Sequence, residues 1–466
     1  MAKVSVVPLA RPTFDLNVAG QNFSSALAAL RELGAEVHTP EAPIMTPDDV
    51  AAADVPAADL YILLMASFSD ASPAVELLAG VDGPVLAWSF REKGQVGDRL
   101  LTNSMCGANL AAHALLSAGK SVHHLHGDPS EPAVIDALRA ALSGTLPADT
   151  TPQQQEGPLA DEAWVRARLD DLRGRRIGAV GEAPNGFTPC IYDAAQIERM
   201  FGLLIDQMTI ESAFERINDV PAGLRDAAHD RALDAQPSLA AVNDEQARTV
   251  ASVEVALDEW RAEKDLAAIA VRCWPEFATD LGACPCSGLG RIAERGTVMT
   301  CERDVMGAVT MLAMETLGAG PTYLVDIVDV VDDQNLIRVW HCGSAATKLA
   351  ADPNNATQAL HCNRKLGVAG NFPLKTGFVT MARLDRDTDP SNPTGLRLIV
   401  TSGESIPAPN HFQGNTATVR TQADARLLVN GIVTRGFPHH LVVAWNDVRP
   451  ELRRMAAVLG IPRIEW

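Results

Sequence analysis

The chain has 466 residues, 47% of them hydrophobic, and a formal net charge of −19 at pH 7. This length predicts several globular domains, and the acidic balance without any Lys- and Arg-rich run argues against nucleic acid and anionic membranes as partners. The sequence also lacks a signal-peptide pattern and any run of about 18 apolar residues, so we expect a cytoplasmic protein.

The first third of the chain alternates short apolar strands with helical patterns, which is typical of a parallel α/β sheet. The segment from residue 143 to residue 158 is rich in Pro, Thr and Gln and has no apolar period, so it predicts a linker. The predicted strands lie at residues 4–8, 60–65 and 84–88, and the predicted helices at residues 23–33 and 108–118.

Strand character returns after this linker. Residues 175–181 and 265–272, with long helical segments between them, predict a second α/β unit. After residue 343, Gly, Pro and Asn punctuate apolar runs such as 396–400, which is typical of antiparallel strands, and one amphipathic helix over 448–459 follows. We therefore expect an α/β fold with two Rossmann-like N-terminal domains, at residues 1–160 and 161–345, and a β-rich C-terminal domain at residues 346–466.

Glu302 stands at the start of a strongly apolar segment, TCERDVMGAVTMLAMETLGAG. The spacing of Val305, Val309 and Leu312 predicts a buried helix with Glu302 in its first turn, where the helix dipole favours a carboxylate. An acid that only begins a helix is the plainer interpretation.

Asp326 lies in PTYLVDIVDVV, which predicts a strand buried on both faces, so its carboxylate needs neutralisation, an ion pair or a metal ion. Asp329 is predicted on the opposite face and in solvent. Near the C-terminus, RGFPHHLVVAW places His439 and His440 before an apolar run, so at least one imidazole is expected in the core. Two carboxylates and one imidazole suit Mn²⁺ or Mg²⁺, and a satisfied core histidine is the alternative.

Two further groups carry weaker metal hypotheses. His123, His124 and His126 could bind a metal, but a solvated loop at a strand end is the plainer interpretation. Cys284 and Cys286 lack a second pair with zinc-finger spacing. The eight cysteines are spread thinly over a long chain, so we expect reduced thiols.

Several separated segments resemble the L-fucose isomerase family and, more distantly, the L-arabinose isomerases. Glu302 and Asp326 are 24 residues apart, as in the family's helix-start Glu and buried-strand Asp. Gly436-Phe-Pro-His-His440 resembles the segment that carries the family's ligand histidine, and Ile461-Pro462 follows at a similar distance. The resemblance implies that Glu302, Asp326 and His440 bind the metal ion, and that both carboxylates also act as catalytic acid and base.

The resemblance also implies a sugar-binding set. Arg11-Pro12-Thr13 with Asp15 is similar to the family's Arg-bearing strand end, AWSF to another strand end, and Cys342-Gly343-Ser344-Ala345 to its Ser-Gly-Ser-Ala turn. His439 falls where a typical fucose isomerase has Asn, and histidine there is more like the arabinose isomerases. The substrate-binding residues implied in this way are Arg11, Trp88, Cys342, Ser344 and His439.

The function implied by the resemblance is a metal-dependent aldose–ketose isomerase. It would use Mn²⁺, with Co²⁺ or Mg²⁺ as alternatives, act on L-fucose, D-arabinose or a related monosaccharide through a cis-enediol, and form a homo-oligomer, a hexamer or a trimer. An isomerase of an anionic sugar and a noncatalytic sugar-binding sensor remain alternatives. A non-haem Fe(II) oxygenase would need two histidines and one carboxylate, and a structural metal site would need a fourth ligand such as His341 or His411.

Overall fold

A computed structural model describes residues 1–147 and 157–466, and it contains three β-sheets. The middle of the predicted linker, residues 148–156, lies outside the described residues. Within the described residues, no helix is both long enough and apolar enough to cross a membrane.

The first sheet is parallel throughout, with the strand order β2-β1-β3-β4-β5. Apolar residues of α1 and α5 cover one face and those of α2, α3 and α4 cover the other, which makes this unit doubly wound. Its strands are β1 (Lys3–Leu9), β2 (Glu36–His38), β3 (Leu60–Met65), β4 (Val85–Ser89) and β5 (Val122–His126). Its helices are α1 (Leu16–Glu32), α2 (Pro47–Ala52), α3 (Ser72–Leu78), α4 (Ser104–Ser117) and α5 (Pro132–Leu142).

The second sheet is also parallel, in the order β7-β6-β8-β9. This confirms the prediction of a second α/β unit. Its strands are β6 (Arg176–Val180), β7 (Leu204–Met208), β8 (Leu266–Val271) and β9 (Val298–Thr300). The helices of this part are α6 (Glu162–Asp170), α7 (Ala194–Phe201), α8 (Ile210–Asn218), α9 (Ala222–Ala235), α10 (Asp244–Lys264), α11 (Glu276–Thr279), α12 (Cys286–Glu294) and α13 (Val305–Thr316).

The third sheet has nine strands and closes on itself. Its strands are β10 (Thr322–Val331), β11 (Leu336–His341), β12 (Thr357–Leu360), β13 (Gly367–Pro373), β14 (Gly377–Arg386), β15 (Leu396–Ile406), β16 (Asn415–Thr421), β17 (His440–Ala444) and β18 (Arg463–Glu465). Six of them, β16-β11-β10-β17-β14-β15, form an antiparallel ring because β15 also pairs with β16. Full closure removes exposed strand edges from this ring. Helices α14 (Ala425–Thr434) and α15 (Arg449–Leu459) belong to the same part of the chain.

This closed ring of strands is a β-barrel, and it begins before the predicted domain boundary at residue 345. Strands β10 and β11 precede that boundary, yet they pair with β17 and β16, which follow it. Asp326 therefore lies in the barrel, beside the strand that carries His440, and not in the second parallel sheet. We propose that the β-rich domain starts near β10.

Candidate active site

A cavity of about 750 Å³, counting its opening to solvent, lies where the carboxyl ends of the parallel strands face the barrel. Arg11 comes just after β1, Trp274 after β8 and Glu302 after β9, while Asp326 comes from β10. In α/β folds ligands bind outside the carboxyl ends of the strands, so this cavity is the candidate ligand site.

Glu302 reaches this cavity from a turn, not from the first turn of a helix as predicted. Helix α13 begins at Val305 and is capped by Asp304, whose carboxylate accepts a hydrogen bond from the Gly307 N–H. Glu302 and Arg303 both have left-handed backbones, with φ of 60° and 57°. Residues other than glycine rarely adopt this conformation, and such strain clusters at functional sites. The favourable position at the helix dipole therefore belongs to Asp304.

Two of the predicted metal ligands, Glu302 and Asp326, lie close to a ring nitrogen of the third, His440. Asp326 and His440 are direct partners on neighbouring strands β10 and β17. His440 Nε2 lies 3.5 Å from Asp326 Oδ1 and 3.3 Å from Glu302 Oε2. Asp326 Oδ1 is buried and has no hydrogen-bond partner among the described residues, and burial raises the pKa of Asp326 to about 7.

Behind His440 lies a fully buried ion pair. His440 Nδ1 is 2.8 Å from Asp304 Oδ2, and Arg383 binds both oxygens of that carboxylate at 2.5 and 2.8 Å. Burial alone would lower the pKa of His440, but the hydrogen bonds with Asp304 and Glu302 raise it to about 10. A carboxylate on one ring nitrogen fixes the orientation of an imidazole and presents the other nitrogen to a ligand.

The donor set fits a divalent cation. Arg383 offsets the charge of Asp304, so a divalent cation would have the carboxylates of Asp326, which is buried, and of Glu302, which is partly buried, as its partners. His341 adds a further donor, because its Nε2 faces His440 Nε2 at 3.4 Å, and its ligand atom clusters with those of Asp326 and His440 within 4.8 Å. Burial lowers the pKa of His341 to about 3, so this imidazole is neutral and able to bind a cation.

His439 lines the cavity beside these residues. Its Nε2 lies 3.4 Å from Glu302 Oε2 and its ring meets Phe187 edge-on at 5.7 Å. His439 Nδ1 is buried without a hydrogen-bond partner among the described residues, and burial lowers the pKa of this imidazole to about 4. The neighbouring histidines thus differ, since His440 is held from behind by Asp304 while His439 has a free ring nitrogen.

Two of the other predicted sugar-binding residues, Arg11 and Cys342, line the cavity. Ser344 does not, because its hydroxyl accepts a hydrogen bond from the Cys301 thiol at 3.3 Å and its side chain borders a separate cleft.

The position of Trp88 does not agree with its predicted role in sugar binding. Its side chain is fully buried in the core of the first sheet, stacked on Phe90 at 5.2 Å between ring centroids. The indole N–H donates to the Gly127 carbonyl at 2.9 Å. Strand alternation turns this residue into the core under α1 and α5, so it does not reach the cavity.

Asp329 is also corrected, from a solvated to a buried residue. The pairing of β10 with β11 shifts between Ile327 and Asp329, so Asp329 pairs with Arg338 and ends on the same face as Asp326. Its carboxylate accepts from Arg338 at 2.6 Å and lies 3.6 Å from His126. A bulge of this kind leaves no signal in a simple alternating pattern.

The three clustered histidines form strand β5 and not a solvated loop. His124 Nε2 and His126 Nδ1 both hydrogen-bond to Ser89 Oγ, at 3.0 and 2.9 Å. His123 Nδ1 donates to the Pro147 carbonyl at 2.9 Å. In the described part of the chain these histidines join no cluster of three metal-binding side chains.

All eight cysteines are buried free thiols, and five of them line the cavity: Cys106, Cys273, Cys284, Cys286 and Cys342. Cys286 Sγ lies 3.6 Å from Cys342 Sγ, and both cluster with His361, whereas Cys284 joins no such group among the described residues. Cys284 and Cys286 therefore do not belong to one potential metal-binding cluster in the described part of the chain.

Sequence reasoning missed several residues that line the cavity, above all Trp274, His361, Asn363 and Arg364. The position of Trp274, just beyond a predicted strand at 265–272, was a usable signal. The other three come from the connection between β12 and β13, where the sequence shows no resemblance to the L-fucose isomerase family.

Comparison with known proteins identifies relatives along the whole chain, although no family model matches it. The sulfoquinovose isomerase of Alkalicoccus urumqiensis is 31% identical over 469 residues, covering 100% of this chain and 99% of the relative. The sulfoquinovose isomerases of Priestia aryabhattai and Clostridium sp. (strain MSTE9) are each 28% identical, covering 98% of this chain and of each relative. The protein is therefore an isomerase that interconverts an aldose and a ketose, and it belongs to the sulfoquinovose isomerase family.

Proposed function

We propose that this chain interconverts sulfoquinovose, a glucose-like sugar with a sulfonate on C6, and the corresponding 2-ketose in a metal-dependent reaction. The observation that carries the proposal is the convergence of Glu302 and Asp326, which both line the cavity, on His440 Nε2. The names of the relatives favour an anionic sugar over the L-fucose or D-arabinose expected first. They also favour catalysis over the alternative of a noncatalytic sugar sensor.

Glu302, Asp326 and His440 would hold the metal ion, with His341 as a further candidate ligand. A bound Mn²⁺, or Co²⁺ or Mg²⁺ in its place, would polarise the sugar oxygens and stabilise the negative charge that develops when the C–H bond next to the carbonyl is ionised. Asp304 keeps His440 oriented by holding its Nδ1, so that Nε2 remains directed at the two carboxylates.

Isomerisation moves one proton between C1 and C2 and another between the two oxygens. Glu302 and Asp326 are the carboxylates in reach of the proposed reaction centre, and we assign them the transfer of these protons. The Trp274 N–H holds Glu302 Oε1 at 3.3 Å, which orients that carboxylate. Phe68 and Phe187, two aromatic side chains of the same apolar cluster, pack 6.1 Å apart and limit the access of water on that side.

The decisive experiment incubates the purified chain with sulfoquinovose and follows formation of the ketose by NMR. We expect turnover that a chelator abolishes and that Mn²⁺, Co²⁺ or Mg²⁺ restores. Unchanged activity in protein shown to be metal-free by mass spectrometry would refute metal dependence. L-fucose, D-arabinose and D-glucose serve as comparison substrates, and a higher kcat/KM on any of them would refute the proposed substrate.

A further inference from the structure

Two guanidinium groups share one aromatic ring in the cavity. Arg11 Cζ lies 4.6 Å from the centroid of the Trp274 ring, and Arg364 Cζ lies 5.6 Å from it. The same indole donates its N–H to Glu302. Trp274 therefore links the proposed reaction centre to a pair of positive charges.

Neither guanidinium forms an ion pair with a carboxylate of the described residues. Among the described residues, no carboxylate lies within 4.0 Å of Arg11 or Arg364, although both are only partly exposed and both line the cavity. The neighbouring arginines are paired, as Arg383 is with Asp304 and Arg272 is with Glu276 at 2.6 Å. Burial, and after it the like charge of Arg364, lower the pKa of Arg11, although the carboxylates of Asp70 and Glu302 act in the opposite direction. An arrangement of this kind is stabilised when an anion binds.

The loop that carries Arg364 is held in a defined shape. It joins β12 to β13, and its two ends are connected by a hydrogen bond from the His361 N–H to the Leu366 carbonyl. His361 Nδ1 accepts hydrogen bonds from the N–H groups of Asn363 and Arg364, at 3.2 and 3.3 Å. The ring is therefore neutral with its proton on Nε2, so His361 can donate a hydrogen bond to an oxyanion from the same cavity wall.

We infer that Arg11 and Arg364 bind the terminal oxyanion of the substrate, and that Arg364 makes the enzyme specific for an anionic sugar. This inference rests on the proposed function, because it places the C1 and C2 end of the sugar at Glu302 and the charged end across Trp274. Arginine suits this task because its planar fork binds tetrahedral oxyanions through two parallel hydrogen bonds. A sulfonate group and a phosphate monoester both present such an oxyanion, so the test includes both.

Equilibrium binding of sugar alcohols tests the inference without any turnover. The full chain, with Mn²⁺ present throughout, is titrated calorimetrically with 6-deoxy-6-sulfo-D-glucitol, with the neutral 6-deoxy-D-glucitol, and with D-glucitol 6-phosphate. The variants are Arg364→Gln, which removes the charge, Arg364→Lys, which keeps it, and the control Lys365→Gln. Lys365 is the adjacent exposed cation and does not line the cavity.

In Arg364→Gln we expect the Kd of the sulfonate to rise roughly 10- to 100-fold, because a charge-assisted hydrogen bond is lost. The Kd of the neutral alcohol should stay within about 2-fold, since Arg364 is not expected to contact it. Arg364→Lys should recover part of the affinity, and Lys365→Gln should bind like the wild type. Unchanged thermal unfolding and metal content establish that the variants are folded.

Several outcomes would overturn the inference. Equal losses for the charged and neutral alcohols in Arg364→Gln would mean that Arg364 only packs on Trp274. Equal effects of Arg364→Gln and Lys365→Gln on the Kd would mean that both cations act only through a nonspecific electrostatic field. Tighter binding of the phosphate than of the sulfonate would overturn the sulfonate assignment. Absence of isomerase activity in a wild type that binds the sulfonate through Arg364 would refute the proposed function alone. Normal isomerase activity with the same sulfonate affinity in Arg364→Gln would refute this inference alone.

Discussion

Positive charge flanks the proposed reaction centre in two regions, and the two are built in opposite ways. On the barrel side, Arg383 is fully buried and holds both oxygens of Asp304. On the cavity side, Arg11 and Arg364 are partly exposed, stack against Trp274 and have no carboxylate within 4.0 Å among the described residues. The charge of Arg383 is thus paired within the fold, whereas the charges of Arg11 and Arg364 are the ones that we propose an anion pairs with.

The difference follows from where each region can obtain its partners. A buried charge without a partner is strongly destabilising, so the barrel side must satisfy Arg383 within the fold. A cavity open to water tolerates an unpaired guanidinium, because solvent replaces the missing partner until a ligand arrives. The comparison teaches that, among the described residues, the arginines without an ion pair lie on the proposed ligand side of this site, while the paired Arg383 lies on the side that supports it.

The largest expected effect comes from the carboxylates between the two regions. Glu302→Gln and Asp326→Asn should each lower kcat by several orders of magnitude, because both side chains are assigned metal binding and proton transfer. Asp329→Asn is the matched control, since Asp329 lies on the same face of β10 but pairs with Arg338. It should keep kcat within about 10-fold and retain bound metal, because its role is structural. Wild-type kcat in either of the first two variants would show that the carboxylates are wrongly chosen.

The next effect separates two neighbouring histidines that lie on different sides of the comparison. His440→Ala should lose bound metal and nearly all activity, because one proposed ligand is removed together with the link to Asp304. His439→Asn should keep the metal and change KM or the ranking of sugars, since His439 lines the cavity and its Nδ1 has no hydrogen-bond partner among the described residues. Metal analysis beside kinetics reads out both roles. Loss of metal from a His439 variant, with metal retained in His440→Ala, would reverse the assignment.

A smaller effect tests whether the barrel side acts as support. Asp304→Asn should destabilise the protein by about 3–5 kcal/mol, because it leaves Arg383 buried without its charge partner. The double variant Asp304→Leu with Arg383→Met should recover part of that stability, since no buried charge remains. Its activity should stay about 10- to 100-fold low, because His440 Nδ1 no longer has its acceptor. Urea denaturation and kcat measure the two effects, and full activity in the double variant would remove Asp304 from the site.

The smallest expected effects come from replacing two tryptophans, Trp88 and Trp274, with phenylalanine. Trp88→Phe should lower stability by about 1–2 kcal/mol, because the buried Gly127 carbonyl loses its donor, and it should leave kcat/KM unchanged. Trp274→Phe should leave the unfolding temperature nearly unchanged and lower kcat/KM about 10-fold, because Glu302 loses the indole N–H. Thermal unfolding and steady-state kinetics decide. The reverse pattern would restore Trp88 to the sugar-binding set.

The sequence by itself determined much of the local structure. The predicted strands at residues 4–8, 60–65, 175–181 and 265–272 and the helix at 448–459 all correspond to elements of the structure. These features follow from apolar periodicity, which acts over a few residues and is written directly in the chain. The spacing of Glu302, Asp326 and His440, read through a family resemblance, also selected three side chains that converge in space, although their roles remain predictions.

Only the tertiary structure decided which side chains meet these residues. The bulge in β10 turned Asp329 into the core, and two left-handed residues moved Glu302 out of helix α13. Arg364 reaches Trp274 although 90 positions separate them in the sequence. No periodic pattern encodes such contacts, because they depend on how sheets and loops from distant parts of the chain pack, and that packing is what distinguishes a paired arginine from one that awaits a ligand.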